Sequence, residues 1–187
     1  MKNGLSKPPP IALLFIMLFA GQIASTIFIP GLPNIALDLD VSIAMVQKMV
    51  PTYLAAFAIA QLIIGPLSDR FGRRIIVLCG IIIFIIASLL CAFSDDISVL
   101  LISRLAQATG ACSTLVISRA IIRDTSEGVA AARAMSYVAI AMAVGPIMAP
   151  FVGGFLTAWF GWRATFIFTS SIGIIVFTSV FLMLKET

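Results

Sequence analysis

Two polar side chains lie within a strongly apolar part of the sequence. Arg104 and Gln107 are three residues apart and share a face if this stretch is helical. If the stretch spans a membrane, Arg104 lies about two turns inside it. Inserting a guanidinium into the core of a membrane costs about 2.5–3.5 kcal/mol on insertion scales. Arg104 therefore either extends its charged end to the outer interface or faces a wet, polar cavity inside a helical bundle. The second interpretation makes Arg104 and Gln107 the best candidates for a polar binding site.

More polar and aromatic residues recur at helical spacing on two other apolar stretches. They are Gln22, Ser25 and Thr26 on the first stretch, and Tyr53, Phe57 and Gln61 on the second. Together with Arg104 and Gln107 they predict a half-polar, half-aromatic cavity suited to a moderately apolar substrate. Each residue alone is equally compatible with an ordinary hydrogen bond between helices.

Other chemistry is limited by composition. The sequence has no His, which excludes imidazole metal sites and Ser–His or Cys–His dyads. Cys79, Cys91 and Cys112 lie inside apolar runs without a pairing pattern and are interpreted as small buried hydrophobes. We therefore expect no metal, no cofactor and no enzymatic activity. A polytopic membrane enzyme is the main rival class, followed by a channel or a structural membrane protein.

These residues must be positioned by membrane-spanning helices. Of 187 residues, 61% are hydrophobic and 11% charged, against roughly 25% charged in a soluble domain. This composition excludes a soluble enzyme, a nucleic-acid-binding domain and a disordered chain. A helix needs about 20 apolar residues to cross a bilayer. Six apolar stretches have about this length: 11–30, 46–67, 75–93, 98–122, 134–158 and 164–184. We predict an all-α membrane protein, with residues 1–187 forming a single six-helix bundle in the lipid bilayer.

Charge in the connections predicts the orientation. One side holds Lys2, Lys7, Arg70, Arg73, Arg74, Arg119, Arg123, Arg133 and Lys185. The other holds Lys48 and Arg163 together with Asp38, Asp40, Asp95 and Asp96. Because Lys and Arg are retained on the cytoplasmic side, we predict a multi-pass protein of the cell membrane (inner or plasma membrane) with both termini in the cytoplasm. The isoelectric point near 9.3 reflects this bias and not a nucleic-acid partner.

An internal repeat indicates that the two halves of the sequence have related structures. Residues 65–74 and 154–163 follow the second and fifth stretches and share the pattern G-x-L-[ST]-x-x-F-G-x-R at an offset of 89. Three stretches separate the copies, so they lie on opposite sides of the membrane. We predict two inverted three-helix repeats, 1–93 and 94–187, as in many secondary transporters. Chance similarity in apolar sequence is the alternative.

The motifs resemble those of one family. Residues 65–74 resemble the signature between helices two and three of the major facilitator superfamily, G-x-L-[AS]-D-R-x-G-R-[RK]. Residues 104–110 look like its fourth-helix motif R-x-x-Q-G-x-G, with Ala108 replacing the first Gly. Residues 28–33 and 123–133 look most like the Bcr/CflA drug-resistance branch. The resemblance covers the whole chain and implies the amino-terminal half of a twelve-helix fold.

A conformational latch is implied by the resemblance at residues 65–74. In the family, the equivalents of Asp69 and Arg73 brace the outward-open state, and the arginine pairs with an acid after helix four, here Asp124. By its own chemistry, Gly65 permits close helix approach and Gly72 permits a tight turn. The candidate set is Gly65, Asp69, Arg70, Gly72, Arg73, Arg74 and Asp124. A loop that only sets topology is the alternative.

The fifth stretch carries a motif similar to that of antiporters. Its residues are Gly145, Pro146, Pro150, Gly153 and Gly154. Small residues every four positions let helices pack closely in lipid, and the prolines should bend the helix. This predicts a kinked helix that seals the cavity, with plain helix packing as the alternative.

The resemblance implies export of small amphipathic or cationic drugs by proton antiport, with the proton gradient as energy source and a second six-helix half as partner. One departure is Thr26, which stands where the branch often carries an acid, so no proton carrier is evident. The other departure is length, because alternating access requires two bundles. The chain is expected to be a truncated transporter; the alternatives are a half that pairs with itself or with another half, and a remnant without transport. Transport of a small metabolite is a further alternative.

Overall fold

The computed structural model describes residues 11–184, which form helices with short connections and no strand. The helices are α1 (Ile11–Thr26), a 3₁₀ turn (Ile29–Gly31), α2 (Leu32–Asp38), α3 (Ile43–Gln47), α4 (Met49–Phe71), α5 (Arg73–Ala92), α6 (Ile97–Thr125), α7 (Gly128–Phe160) and α8 (Arg163–Met183). The predicted all-α class is confirmed.

Six segments are long and apolar enough to cross a membrane, which confirms the predicted number. They are Ala12–Asp38, Ile43–Phe71, Arg73–Ala92, Ile97–Thr125, Gly128–Phe160 and Arg163–Met183. Four of them run past the predicted bounds by more than two residues at one or both ends, because helical hydrogen bonding continues into polar residues that hydropathy does not include. Lys2, Lys7 and Lys185, which support the predicted orientation, lie outside the described residues.

Helix α6 lies at the centre of the bundle and packs against α4, α5 and α1, while α1 also packs against α7 and α8. Small residues allow these approaches. A Cβ atom at Gly110 of α6 would lie 2.5 Å from the carbonyl oxygen of Gly80 in α5. Close backbone contact of this kind supplies packing energy in lipid, where no hydrophobic effect holds helices together.

Both copies of the repeated signature end a long helix in the same way. Helix α4 ends at Phe71 and α7 ends at Phe160. The next residues, Gly72 and Gly161, have φ angles of 93° and 83°. Only glycine adopts this region readily, so each glycine allows the chain to turn directly into the following helix. This equivalence supports the repeat, while the division at residue 93 stays a prediction.

Candidate functional site

Arg104 is fully buried at the centre of the bundle, with 0% of its surface exposed. Its guanidinium carbon lies 4.3 Å from the ring centre of Phe28 and 4.2 Å from that of Tyr53. The electron-rich faces of the two rings attract the cation. In this structure Arg104 therefore neither reaches the outer interface nor faces an open cavity.

Backbone carbonyls of α1 complete the Arg104 site. Its Nη1 atom donates to the carbonyl oxygen of Ala24 at 3.0 Å, and its Nη2 atom to that of Ser25 at 3.5 Å. No carboxylate of the described residues forms an ion pair with it. Carbonyl dipoles and aromatic rings thus stabilise this buried charge, and they attach α6 to α1.

Gln107 extends the polar contacts to a third helix. Its Oε1 atom accepts a hydrogen bond from Arg104 at 2.5 Å, and its Nε2 atom donates to the hydroxyl of Ser88 at 2.7 Å. Ser88 then donates to the carbonyl oxygen of Phe84 at 2.7 Å. A continuous chain of hydrogen bonds therefore crosses from α1 through α6 to α5. The sequence analysis did not include Phe28 and Ser88 among the candidate site residues. The one available signal was Ser88 itself, whose hydroxyl is the only one in the third apolar stretch, 75–93.

Tyr53 belongs to the same buried group. Its hydroxyl donates to the carbonyl oxygen of Gly21 in α1 at 3.2 Å, and its ring stacks on that of Phe57 with centroids 6.1 Å apart. The structure thus brings Arg104, Gln107 and Tyr53 together, with Phe57 beside them. We refer to Arg104, Gln107, Tyr53, Phe28 and Ser88 as the Arg104 clamp.

Gln22 and Thr26 lie elsewhere, on the face of α1 that packs against α7. The Thr26 hydroxyl donates to the carbonyl oxygen of Pro146 at 3.5 Å. That carbonyl lacks its usual helical donor because residue 150 is proline. A Cβ atom at Gly145 would lie 2.6 Å from the Cβ of Gln22. These two residues therefore fill a helix interface in this structure.

The antiporter-like motif of the fifth apolar stretch lies on α7, at its interface with α1. Helix α7 runs without interruption through Pro146 and Pro150. A Cβ atom at Gly153 would lie 1.7 Å from the carbonyl oxygen of Ile27. Gly154 has Pro30 as its nearest neighbour, 3.9 Å from its Cβ position. The motif thus forms the surface of α7 that packs against α1. This agrees with the alternative that its small residues serve helix packing.

Gln61 is exposed and does not join the clamp. It lines a groove of about 440 Å³ between α4, α6 and α7. Polar lining residues of this groove include Asp69, Arg119 and Arg123. The eight residues predicted to line one cavity are therefore divided among a buried clamp, a helix interface and this groove.

The predicted latch pair is in contact. The Nη2 atom of Arg73 lies 2.5 Å from Oδ2 of Asp124 and 3.4 Å from Oδ1 of Asp69. Gly72, with its positive φ, allows α5 to begin directly after α4. Arg73, Asp69 and Asp124, here called the Arg73 cluster, join the ends of α4, α5 and α6.

Other members of the predicted latch have different roles. Arg74 donates from Nη2 to the carbonyl oxygen of Phe181 at 2.9 Å and so ties α5 to α8. Arg70 is exposed, with its guanidinium carbon 5.4 Å from the Phe71 ring centre. The expectation that Gly65 permits close helix approach is wrong for this bundle, because no residue of another described helix lies within 4 Å of its Cβ position. That part of α4 borders the groove instead.

Comparison with known proteins matches this architecture. A family model described as Major Facilitator Superfamily matches residues 14–187. Multidrug resistance protein D of Escherichia coli (strain K12) is 34% identical over 158 residues, which are 84% of this chain and 40% of that protein. Multidrug resistance protein MdtL of Salmonella dublin is 36% identical over 160 residues, 86% of this chain and 40% of that protein.

Two further matches extend the comparison. The uncharacterized MFS-type transporter YdgK of Bacillus subtilis (strain 168) is 36% identical over 177 residues, 94% of this chain and 44% of that protein. The crystal structure of the human organic anion transporter MFSD10 (TETRAN) has a TM-score of 0.72 at 19% identity, covering 95% of this chain and 48% of that one. The chain therefore spans less than half the length of the relatives it matches.

Proposed function

The chain belongs to the major facilitator superfamily, and we propose that the complete protein exports small amphipathic or cationic drugs. The observation that carries this proposal is the identity of 34% and 36% to two multidrug resistance proteins over 84% and 86% of the chain. The predicted family membership is confirmed, and the chain is a multi-pass membrane protein.

A second six-helix half is the proposed partner, either in the same polypeptide or as a separate chain. The matched relatives are more than twice as long as the regions they share with this chain. Alternating access in such transporters moves one bundle against another around a site near the bilayer midplane. The Arg104 clamp supports this proposal by joining α1, α4, α5 and α6 within one bundle.

Proton antiport is the proposed mode of coupling, with the proton gradient as energy source and no cofactor. Among residues 11–184 the carboxylates lie at helix ends or in connections: Asp38, Asp40, Asp69, Asp95, Asp96, Asp124 and Glu127. Arg104 cannot release a proton under physiological conditions. We therefore assign the proton carrier to the second half.

The proposed location is the inner or plasma membrane with both termini in the cytoplasm. The support is the excess of Arg at one end of the bundle, where Arg70, Arg73, Arg74, Arg119 and Arg123 lie. The clustered acids Asp38, Asp95 and Asp96 lie at the opposite end.

Dye accumulation tests the proposal. The chain is expressed in a drug-sensitive bacterium both alone and joined to the carboxyl-terminal half of the E. coli relative. We expect the joined protein to lower ethidium accumulation, a protonophore to abolish the effect, and the chain alone to have no effect. If the joined protein is inserted stably and accumulation equals that of the empty vector, drug export is refuted. Loss of transport on protonophore addition separates proton coupling from a facilitated pathway.

A further inference from the structure

A second charged cluster lies at the end of the bundle opposite the Arg73 cluster. Arg163, the first residue of α8, makes ion pairs with Asp38 through Nη1 and with Asp95 through Nη2, the latter at 2.8 Å. Its Nη2 atom also donates to the carbonyl oxygen of Ser94 at 3.2 Å. Trp162 donates from Nε1 to the same Asp38 carboxylate at 3.1 Å. We call Arg163, Asp38, Asp95 and Trp162 the Arg163 cluster.

Three separate parts of the chain meet in this cluster. Asp38 is the last residue of α2, Asp95 lies in the connection between α5 and α6, and Arg163 begins α8. The planar guanidinium can bind two carboxylates at once because its donors point in fixed directions. It also lies over the indole of Trp162, 4.3 Å from the ring centre. Arg163 therefore connects the end of α2, the connection between α5 and α6, and the start of α8.

The two charged clusters lie at similar places in the two predicted repeats, although their residues are not in register. At the offset of 89, Arg163 aligns with Arg74, one residue after Arg73. Arg73, from the first predicted repeat, binds Asp124 at the end of α6 in the second. Arg163, from the second repeat, binds Asp38, which ends the continuation of α1 in the first. Each repeat thus contributes an arginine at one membrane face and the aspartate at the other.

Helix α2 is exposed on one side and packs against the bundle on the other. Pro33, Asn34 and Leu37 are exposed. Leu37 has 83% of its surface exposed. Its inner side contributes Ile35, which is fully buried in a cluster with Phe28, Met49 and Phe166. Leu32 and Ala36 of α2, and Leu39 just after it, pack against the same cluster. The position of α2 therefore depends on these apolar contacts and on the charged contacts of Asp38.

We propose that α2 is a strap over the outer end of the bundle, fastened by Arg163 through Asp38 and released as a unit when that contact breaks. Phe28, beneath the strap, is also one of the two rings that enclose Arg104. Release of the strap consequently loosens the aromatic wall of the clamp. This inference concerns the chain by itself and does not depend on which substrate is carried.

Thiol labelling tests the strap. In the full chain with Cys79→Ala, Cys91→Ala and Cys112→Ala, the substitution Ile35→Cys places a thiol under α2. Maleimide labelling of the detergent-purified protein is timed with and without Asp38→Asn or Arg163→Gln. Breaking the fastening is expected to raise the labelling rate about fivefold, which corresponds to about 1 kcal/mol.

Matched variants make the result decisive. Asp95→Asn leaves the Asp38 contact in place, and Lys48→Gln removes a cation that forms no ion pair within residues 11–184. Neither is expected to change the labelling rate. An unchanged rate in both Asp38→Asn and Arg163→Gln overturns the proposal, as does an equal increase in Lys48→Gln.

A second control measures general loosening of the bundle. It is a chain that keeps only Cys112, which is 0% exposed in α6. If its thiol becomes reactive in parallel, the whole bundle opens and the strap is not a separate unit.

Discussion

The guanidinium of Arg73 contacts the carboxylate of Asp124 at 2.5 Å, and this contact joins the start of α5 to the end of α6. Arg73 is nearly enclosed, with 11% of its side chain exposed, while 40% of the Asp124 side chain is exposed. A pair shielded on one side retains more of its attraction than a fully solvated one. The pair therefore contributes to the stability of this end of the bundle.

Replacement of Arg73 should destabilise the protein measurably. Arg73→Ala is expected to cost about 1–2 kcal/mol, because Asp124 loses a charge-assisted hydrogen bond. Thermal unfolding in detergent should show a melting temperature lower by several degrees. Arg70→Ala is the control, since Arg70 is exposed and makes no ion pair among residues 11–184. Equal losses in the two variants would show that net charge, and not the Asp124 contact, matters.

Arg104 should not tolerate lysine. Arg104→Lys keeps the charge, but a compact ammonium lacks the planar fork of donors that reaches Gln107 and two α1 carbonyls from separate nitrogen atoms beside the two rings. We expect a loss of about 2–3 kcal/mol in stability and loss of dye export in the joined protein. Arg119→Lys is the matched control on the same helix, because Arg119 is exposed. Retained stability in Arg104→Lys would mean that charge alone suffices at the clamp.

Two glycines should respond in opposite directions to the same change. At Gly153 a Cβ would lie 1.7 Å from the Ile27 carbonyl oxygen, so Gly153→Ala must separate α1 from α7. The expected cost is about 3 kcal/mol or more. At Gly65 nothing lies within 4 Å of the Cβ position. Gly65→Ala should be neutral or stabilise α4 by up to about 1 kcal/mol through helix propensity.

The amount of folded protein in the membrane and its melting temperature measure this pair of changes. Similar behaviour of the two variants would contradict the close contact assigned to α1 and α7.

Asp96 should make stability depend on pH in the acid range. Its carboxylate accepts hydrogen bonds from the backbone N–H groups of Ser98 at 2.6 Å and Val99 at 3.2 Å, at the beginning of α6. These bonds to the Ser98 and Val99 backbone hold the pKa of Asp96 below its usual value. Because the folded pKa is the lower one, the stabilisation is complete above the unfolded pKa of about 3.9 and is lost as pH falls through the folded pKa.

Melting temperatures of the parent protein and of Asp96→Ala, measured from pH 6 to pH 3, test this prediction. The difference between them should shrink below about pH 4. Glu127→Ala serves as control, because Glu127 precedes α7 without a side-chain capping bond. A difference that stays constant across the range would show that Asp96 acts through something other than its charge.

Hydropathy predicted the helices, and the family resemblance implied one of the two charged clusters. Six apolar stretches specify six helices because backbone groups in lipid must bond within their own segment. The contact between Arg73 and Asp124 was implied by the resemblance to the major facilitator superfamily, in which the equivalent arginine pairs with an acid after helix four. Each of these features depends on residues that are close in sequence or on a motif with fixed geometry.

The environment of Arg104 could not be read in this way. Its partners are backbone carbonyls of α1, the ring of Phe28 just after α1, a ring of α4 and, through Gln107, a hydroxyl of α5. Every residue has a backbone carbonyl, so the sequence does not indicate which carbonyls bind Arg104. An aromatic residue in the sequence likewise seldom indicates which cation its ring will contact. Gln61 shares a helical face with Tyr53 but lies two turns further along α4, where the groove replaces a neighbouring helix. Arg163 was interpreted only as an orientation charge, although the repeat had already aligned it with Arg74.

The contact between Gly153 and Ile27 has a mechanical consequence. A slide of α7 past α1 by one turn would bring the side chain of Ala149 or Thr157 to the point where the Ile27 carbonyl now meets bare backbone. The two helices belong to different predicted repeats, so this obstruction opposes sliding of one against the other. A change of conformation is therefore expected to move α1 and α7 together.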